Sequence, residues 1–170
     1  IQVLGALLQW RKAHPAAAPA LLVLPASLLG NWMAEAARFA PTLRLLGLHP
    51  SVTAPSDLAA ADKSPAKALR GVDLVLTTYG MLAKQTWLAA REWSYVILDE
   101  AQAIRNPGTK QSRSARALRS ARRIALTGTP VENTLGDLWS LFDFLNPGLL
   151  GTGAEFAKLT KRIAKGDGDF

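Results

Sequence analysis

Five short apolar runs punctuate this chain, and none shows the strict polar–apolar alternation of a half-exposed strand. They are "ALLVL" at Ala20–Leu24, "LRLLGLH", "VDLVLTTY", "YVILDE" and "RRIALTGTP". Runs of this kind read as strands buried on both faces. Helical patterns lie between them. Residues 1–12 carry Val3, Leu4, Leu7 and Leu8 on one side. Ser27 is placed to cap a helix running to about residue 40, with Trp32, Ala36 and Phe39 near one face and Pro41 beyond it. Further helices are predicted over 79–90, 109–120 and 135–145, the last stopped by Asn146-Pro147-Gly148. Residues 50–65 read as a turn-rich connection with room for one helical turn. The segment from Gly151 reads as a short helix and a frayed Gly/Asp-rich end. Strand–helix alternation with doubly buried strands implies an α/β fold, a mainly parallel sheet with helices on both faces.

The chain has 170 residues, which suits one domain. Its formal net charge is +7, a balance that permits nucleic-acid or anionic partners without requiring them. It has no cysteine, which excludes disulfides and thiolate metal sites. Its two histidines, His14 and His49, stand in unrelated contexts and form no ligand cluster. No apolar run reaches the ~20 residues of a membrane span, and the first residues lack the pattern of a secretion signal.

In such sheets, functional residues gather beyond the carboxyl ends of the strands. Asp99 and Glu100 follow the apolar run Tyr95-Val96-Ile97-Leu98 at one such end. Thr77 and Thr78 close a second strand, and Thr127, Gly128 and Thr129 a third. An apolar strand followed by Asp-Glu suits hydrolysis of a magnesium-bound nucleotide, one acid for the metal and one for the attacking water. Taken alone, the dipeptide equally suits a pair of helix-capping acids.

The surrounding spacing separates these readings. Asp99-Glu100-Ala101-Gln102, then Leu126-Thr127-Gly128-Thr129-Pro130 with Glu132-Asn133 and Leu138-Trp139, resembles the Swi/Snf-type ATPases. These are a branch of the superfamily-two helicase-like proteins. Pro25, Ser27, Asn31 and Trp32 match an earlier motif of that family, and Thr77-Thr78-Tyr79 another. The matches fall in order over residues 1–150.

The resemblance implies a three-layer RecA-like lobe of the P-loop NTPase class. Residues 1–150 would form part of the first lobe, and 151–170 the start of the segment leading to the second. It implies that Asp99 is the Mg²⁺-linked acid and that Glu100 activates the hydrolytic water. Gln102, where most members have His, would touch the γ-phosphate region. Thr127, Gly128 and Thr129 would lie at the nucleotide, and the two threonines would couple its state to DNA. Ser27, Asn31, Thr77 and Thr78 fall in motifs that face DNA in the family. Trp32 shares those motifs, but its spacing with Ala36 and Phe39 places it in the core. Thr77 and Thr78 equally suit a plain strand end.

A basic run separates the two motifs: Arg105, Lys110, Arg113, Arg116, Arg119, Arg122 and Arg123. No acid occurs between residues 101 and 131. The three-residue spacing of Arg113, Arg116 and Arg119 predicts one shared helix face, suited to DNA phosphates or to a solvated flank.

The glycine-rich phosphate loop G-x-x-x-x-G-K-[ST] is absent. In the family it immediately precedes a helix resembling "IQVLGALLQ". The expectation is therefore a lobe incomplete at its N-terminus, lacking the loop and a strand from the interior of the sheet. Exposed sheet edges would then favour self-association.

The parent protein is expected to be an ATP-driven translocase on double-stranded DNA, using ATP with Mg²⁺ and a second RecA-like lobe. The chain by itself would be inactive and bind neither ATP nor Mg²⁺. The rival expectation is a non-catalytic, degenerate lobe that docks DNA or a protein partner. The Ala/Leu/Arg-rich composition suggests a bacterial, hence cytoplasmic, protein; a eukaryotic source would make it nuclear.

Overall fold

The computed structural model describes residues 1–129 and 135–164. Five strands form one sheet: β1 (Ala20–Leu24), β2 (Leu45–Leu48), β3 (Leu74–Thr78), β4 (Val96–Leu98) and β5 (Arg123–Ala125). Their order is β2-β3-β1-β4-β5, and every pairing is parallel. All five apolar runs are thus strands. The expected gap inside the sheet is not present: β1 pairs with both β3 and β4, and the outer strands are β2 and β5. Any further strand would join at an edge and not within.

Two apolar clusters lie on the two faces, fed by alternate residues of the same strands. Leu22, Leu24, Leu74, Leu76 and Ile97 face α1 (Gln2–Ala13) and α2 (Leu29–Phe39). Leu21, Val23, Val75, Val96 and Leu98 face the opposite layer. That layer holds α3 (Pro55–Lys63), α4 (Pro65–Ala68), α5 (Tyr79–Leu82), α6 (Lys110–Arg116) and α7 (Leu135–Leu145). A last helix, α8 (Gly153–Ala164), packs on α7. The strand residues Leu21 to Leu24 are wholly buried. Each such side chain contributes about 1.5–3 kcal/mol relative to exposure, which is why the runs lack polar alternation.

Several local expectations need correction. The connection from residue 50 contains one helix, α3, and runs straight into a second, α4, because Pro55 and Pro65 occupy first-turn positions where a missing N–H costs nothing. The helix expected over 79–90 is only α5 followed by a 3-10 turn at Thr86–Leu88. The one expected over 109–120 ends at Arg116. Ser27 caps nothing: a 3-10 turn, Ala26–Leu28, precedes α2, and Leu28 at the N-cap offers no side-chain bond.

At the amino end of the sheet, Asp73 joins three segments. Its carboxylate meets Arg11 Nε of α1 at 2.7 Å and the Arg44 backbone N–H at 2.8 Å. Burial pushes this carboxyl up, but the Arg44 hydrogen bonds and the charges of Arg11 and Arg44 outweigh it, and the net direction is down. A depressed folded value means that the stabilisation is complete above the ordinary 3.8 and is lost as pH falls through the lower folded value. Asp73→Asn is therefore expected to melt earlier than the parent at pH 7. That difference should close on acidification below the ordinary carboxylate range. Thermal melts across pH check this; a difference that persists unchanged in acid contradicts it.

Candidate active site

The sheet's carboxyl rim is organised by the residues just past β4. The Asp99 N–H still pairs sideways with β1, at Val23 O, 2.8 Å. Two residues on, the Ala101 N–H pairs the other way, with Leu126 O at 2.9 Å. Between them Glu100 takes a left-handed conformation, φ 50°, the one non-glycine residue with positive φ among those described. For an L-residue with a full side chain this costs about 1–2 kcal/mol. Consecutive side chains of a straight strand leave by opposite faces. The left-handed residue ends that alternation and lets Glu100 lie along the rim.

Asp99 is held from both sides of the sheet. The Trp32 indole N–H of α2 donates to its Oδ2 at 2.6 Å, and the Glu100 N–H to its Oδ1 at 3.0 Å. From the opposite layer, the Tyr79 hydroxyl donates to its backbone carbonyl at 2.9 Å. Burial, and then the negative charges of Asp99 and Glu100, push the Tyr79 phenol far above its ordinary range. Tyr79 therefore keeps its proton and remains a donor.

Glu100 begins a hydrogen-bonded chain toward β5. Gln102 donates through Nε2 to Glu100 Oε2 at 2.5 Å. Its other amide atom, Oε1, accepts from Thr127 Oγ1 at 2.8 Å. The Thr129 N–H in turn donates to Thr127 Oγ1 at 3.1 Å. The structure thus brings together Asp99, Glu100, Gln102, Thr127 and Thr129, residues spread over thirty positions of sequence. Gly128 is exposed, and a Cβ placed there meets nothing within 4 Å. Pro130, Glu132 and Asn133 of the same motif lie outside the described residues. Glu100 and Gln102 also line an open cleft of about 620 Å³ with Pro25, Ala103, Arg105, Asn106 and Thr109.

The other expected site residues are placed differently. Ser27 and Asn31 are exposed. Thr77 is fully buried, its hydroxyl without a partner, and Thr78 caps α5 by accepting from the Met81 N–H. Both are therefore inside the sheet end and not on its surface. The shared basic face is also overturned. Arg119 lies beyond α6 and faces Glu92 at 3.4 Å, and Arg113 donates to Gly108 O at 2.7 Å. Arg116 points inward to an ion pair with Asp143 of α7 and donates to the Ser140 carbonyl and hydroxyl. The counter-charge comes from a later helix, so a local scan for acids misses it. The Trp32 ring packs in the core as its spacing implies, but its N–H reaches Asp99.

The acid pair suits a hydrated magnesium ion rather than a protein-caged metal. Among the described residues, no group of three or more His, Cys, Asp or Glu could hold a metal alone. Mg²⁺ keeps its waters and takes one or two carboxylates plus phosphate oxygens. Each oxygen of the Asp99 carboxylate accepts one N–H and retains an acceptor position.

The SNF2-related domain family matches residues 1–168. The chain is 41% identical over 161 residues to YwqA of Bacillus subtilis, covering 93% of this chain and 17% of that one. It is 37% identical over 139 residues to the TATA-binding protein-associated factor mot1 of Schizosaccharomyces pombe, covering 81% and 7%. Among solved structures it resembles the Sulfolobus solfataricus SWI2/SNF2 ATPase core in complex with dsDNA. That match has TM-score 0.83 and 41% identity, over 98% of this chain and 33% of that one. The chain thus spans about a sixth of the first curated relative and a third of the solved core. With a parallel sheet in this order, an acid pair at its rim, and a family match running nearly end to end, the chain belongs to the SNF2-related family.

Proposed function

We propose that this chain forms part of the first RecA-like lobe, residues 1–150, of a DNA-dependent ATPase that translocates on double-stranded DNA. Residues 151–170 would begin the connection toward a second lobe. The observation that carries this reading is the unbroken chain Glu100–Gln102–Thr127, which couples the acid pair to the Thr-Gly-Thr turn. A relative gives it a direction: the similar Sulfolobus solfataricus structure is an ATPase core in complex with dsDNA.

On this reading Asp99 is the residue that would hold Mg²⁺, through water, and Glu100 takes the role of general base. When bound with the nucleotide, the ion supplies neutralisation of charge on the phosphate oxygens. Glu100 orients and polarises the attacking water, its own carboxylate kept in place by the Gln102 amide. Gln102 uses both ends of its amide at once, so a shift of Thr127 is felt at Glu100. Hydrolysis thereby links to a turn that can bear on DNA. Exposed Ser27, Asn31 and Arg113 remain available to phosphates; Arg116 is committed to the core. The outer edges of β2 and β5 have no strand partner among the described residues, and these edges are the places for self-association. Among the described residues no helix is long and apolar enough to cross a membrane; a cytoplasmic setting is part of the proposal and rests on the Ala/Leu/Arg-rich composition.

The test uses the complete polypeptide that carries this lobe. ATP turnover is expected to rise several-fold on adding duplex DNA. In the same protein, a third strand should be displaced from a DNA triplex while the two strands of a plain duplex stay paired. Turnover indifferent to DNA would defeat the translocase reading; efficient duplex unwinding would make it a strand-separating helicase instead.

A further inference from the structure

Trp32 and Asp99 are 67 residues apart and on different elements, yet the indole N–H meets Asp99 Oδ2 at 2.6 Å. An indole has one donor and no acceptor, so this bond is the whole polar capacity of the side chain. The ring is half-buried against the cluster beneath α2, which leaves it little freedom to swing away. The other carboxylate oxygen takes the Glu100 N–H, and the Asp99 carbonyl takes the Tyr79 hydroxyl. Two donors from different directions, one on each oxygen, fix the plane of the carboxylate. They also fix where its remaining acceptor positions point.

We propose that Trp32 is a positioning residue for the metal-side acid: its N–H holds Asp99 in the orientation that receives the hydrated Mg²⁺ of the nucleotide. The proposal rests on the reading of Asp99 given above. Trp32 touches no reacting atom; it acts through Asp99. Its neighbour Asn31 is exposed on the same turn of α2, so the support of the acid is continuous with the surface of that helix. Groups that orient a ligating carboxylate are commonly worth about 10- to 100-fold in metal affinity.

The experiment again uses the complete polypeptide. Trp32→Phe keeps a flat aromatic ring and deletes the donor, with some loss of ring volume against the cluster beneath α2. The concentration of Mg²⁺ that half-saturates binding of a fluorescent ADP analogue is expected to rise about 10-fold or more. The weak binding measured with EDTA in place of Mg²⁺ should be unchanged, which a merely structural defect would not spare.

A second readout needs no loaded enzyme and no folded Trp32 variant. The protein is labelled with 5-fluorotryptophan, and the five tryptophan signals of this lobe are assigned by single Trp→Phe replacements elsewhere and by elimination. In Asp99→Ala, the Trp32 ¹⁹F signal should move while the other four stay. A Trp32 signal indifferent to Asp99→Ala overturns the contact and the proposal, leaving the function untouched. An unchanged Mg²⁺ requirement in Trp32→Phe, with a strong rise in Asp99→Ala, overturns the proposal alone. An unchanged requirement in Asp99→Ala overturns both the proposal and the role given to Asp99.

Discussion

Replacing Glu100 by Gln in the complete polypeptide is expected to cut ATP turnover by about 10²- to 10⁴-fold, the usual contribution of a positioned general base. Nucleotide affinity should stay within a few-fold, because Asp99, the residue proposed above to hold Mg²⁺, is left intact. Folding should also survive. The replacement is nearly isosteric, and its amide oxygen can still accept from Gln102 as the carboxylate does now at 2.5 Å. The left-handed backbone at φ 50° is no harder for Gln than for Glu. A melting temperature within about 2 °C of the parent is therefore expected, as for other substitutions that disturb no packing. Steady-state turnover, equilibrium binding of a labelled nucleotide and a thermal melt together check the claim. A variant that turns over ATP at near-parental rate removes Glu100 from the base role. One that fails to fold shows the side chain to be structural instead.

Replacing Arg116 by Met is expected to act on stability, not on DNA affinity. Its guanidinium bridges two helices: Nε donates to Ser112 Oγ of α6 at 3.2 Å, Nη2 to the Ser140 carbonyl and hydroxyl of α7 at 2.8 and 2.7 Å, and Nη1 pairs with Asp143 of α7. The Ser112 and Ser140 hydroxyls both go on to donate to Ile104 O, at 3.1 and 2.8 Å. Ile104 closes the 3-10 turn Ala101–Ile104, which directly follows Glu100. Burial lowers the Arg116 pKa while Asp143 works to raise it, with a net downward direction. The guanidinium nonetheless stays charged at any working pH.

The side chains of Arg116 and Asp143 are 18% and 22% exposed, so solvent screens the pair only partly. Truncating one member leaves Asp143 and Ser140 short of partners, at a cost of about 3 kcal/mol. For a domain of this size that is roughly 6–12 °C in melting temperature. Arg116→Lys, which keeps charge but not the planar fork, should fall between. Arg113→Met, at an exposed position, should change stability by less than about 0.5 kcal/mol. Thermal melts of the three variants check the order. If Arg116→Met melts with the parent while the salt dependence of DNA binding weakens, the inward placement is wrong.

What could be read from sequence follows from where the energy lies. The five strands were legible because each centres on an apolar run packed between the two layers; β1, β3 and β4 are buried throughout, whereas β5, at the edge, is half-buried and begins with Arg123. Helix α7 was legible from Leu135 to Leu145 because its stop signal, Asn-Pro-Gly, is unambiguous. The helices between residues 55 and 68 were hidden. Only Leu58 and Ala61 of α3 are buried, too few to show a period, and its prolines look like breakers when they are starters.

The acid pair, Gln102 and Thr127 were found because motif spacing carries them. The bonds of Trp32 and Arg116 were not found, since each joins residues far apart in sequence: 67 positions in one case, 27 in the other. Amphipathic spacing says that a side chain turns inward. It does not say which polar group waits there.

The twist at Glu100 has a practical cost for anyone hardening this protein against heat. Glycine accepts that backbone freely, and asparagine nearly so. A library screened for thermal endurance alone should therefore enrich both at position 100, releasing about 1–2 kcal/mol. It would do so by discarding the carboxylate. Robustness and turnover pull against each other at this single codon, and an engineer must lock it before evolving the rest.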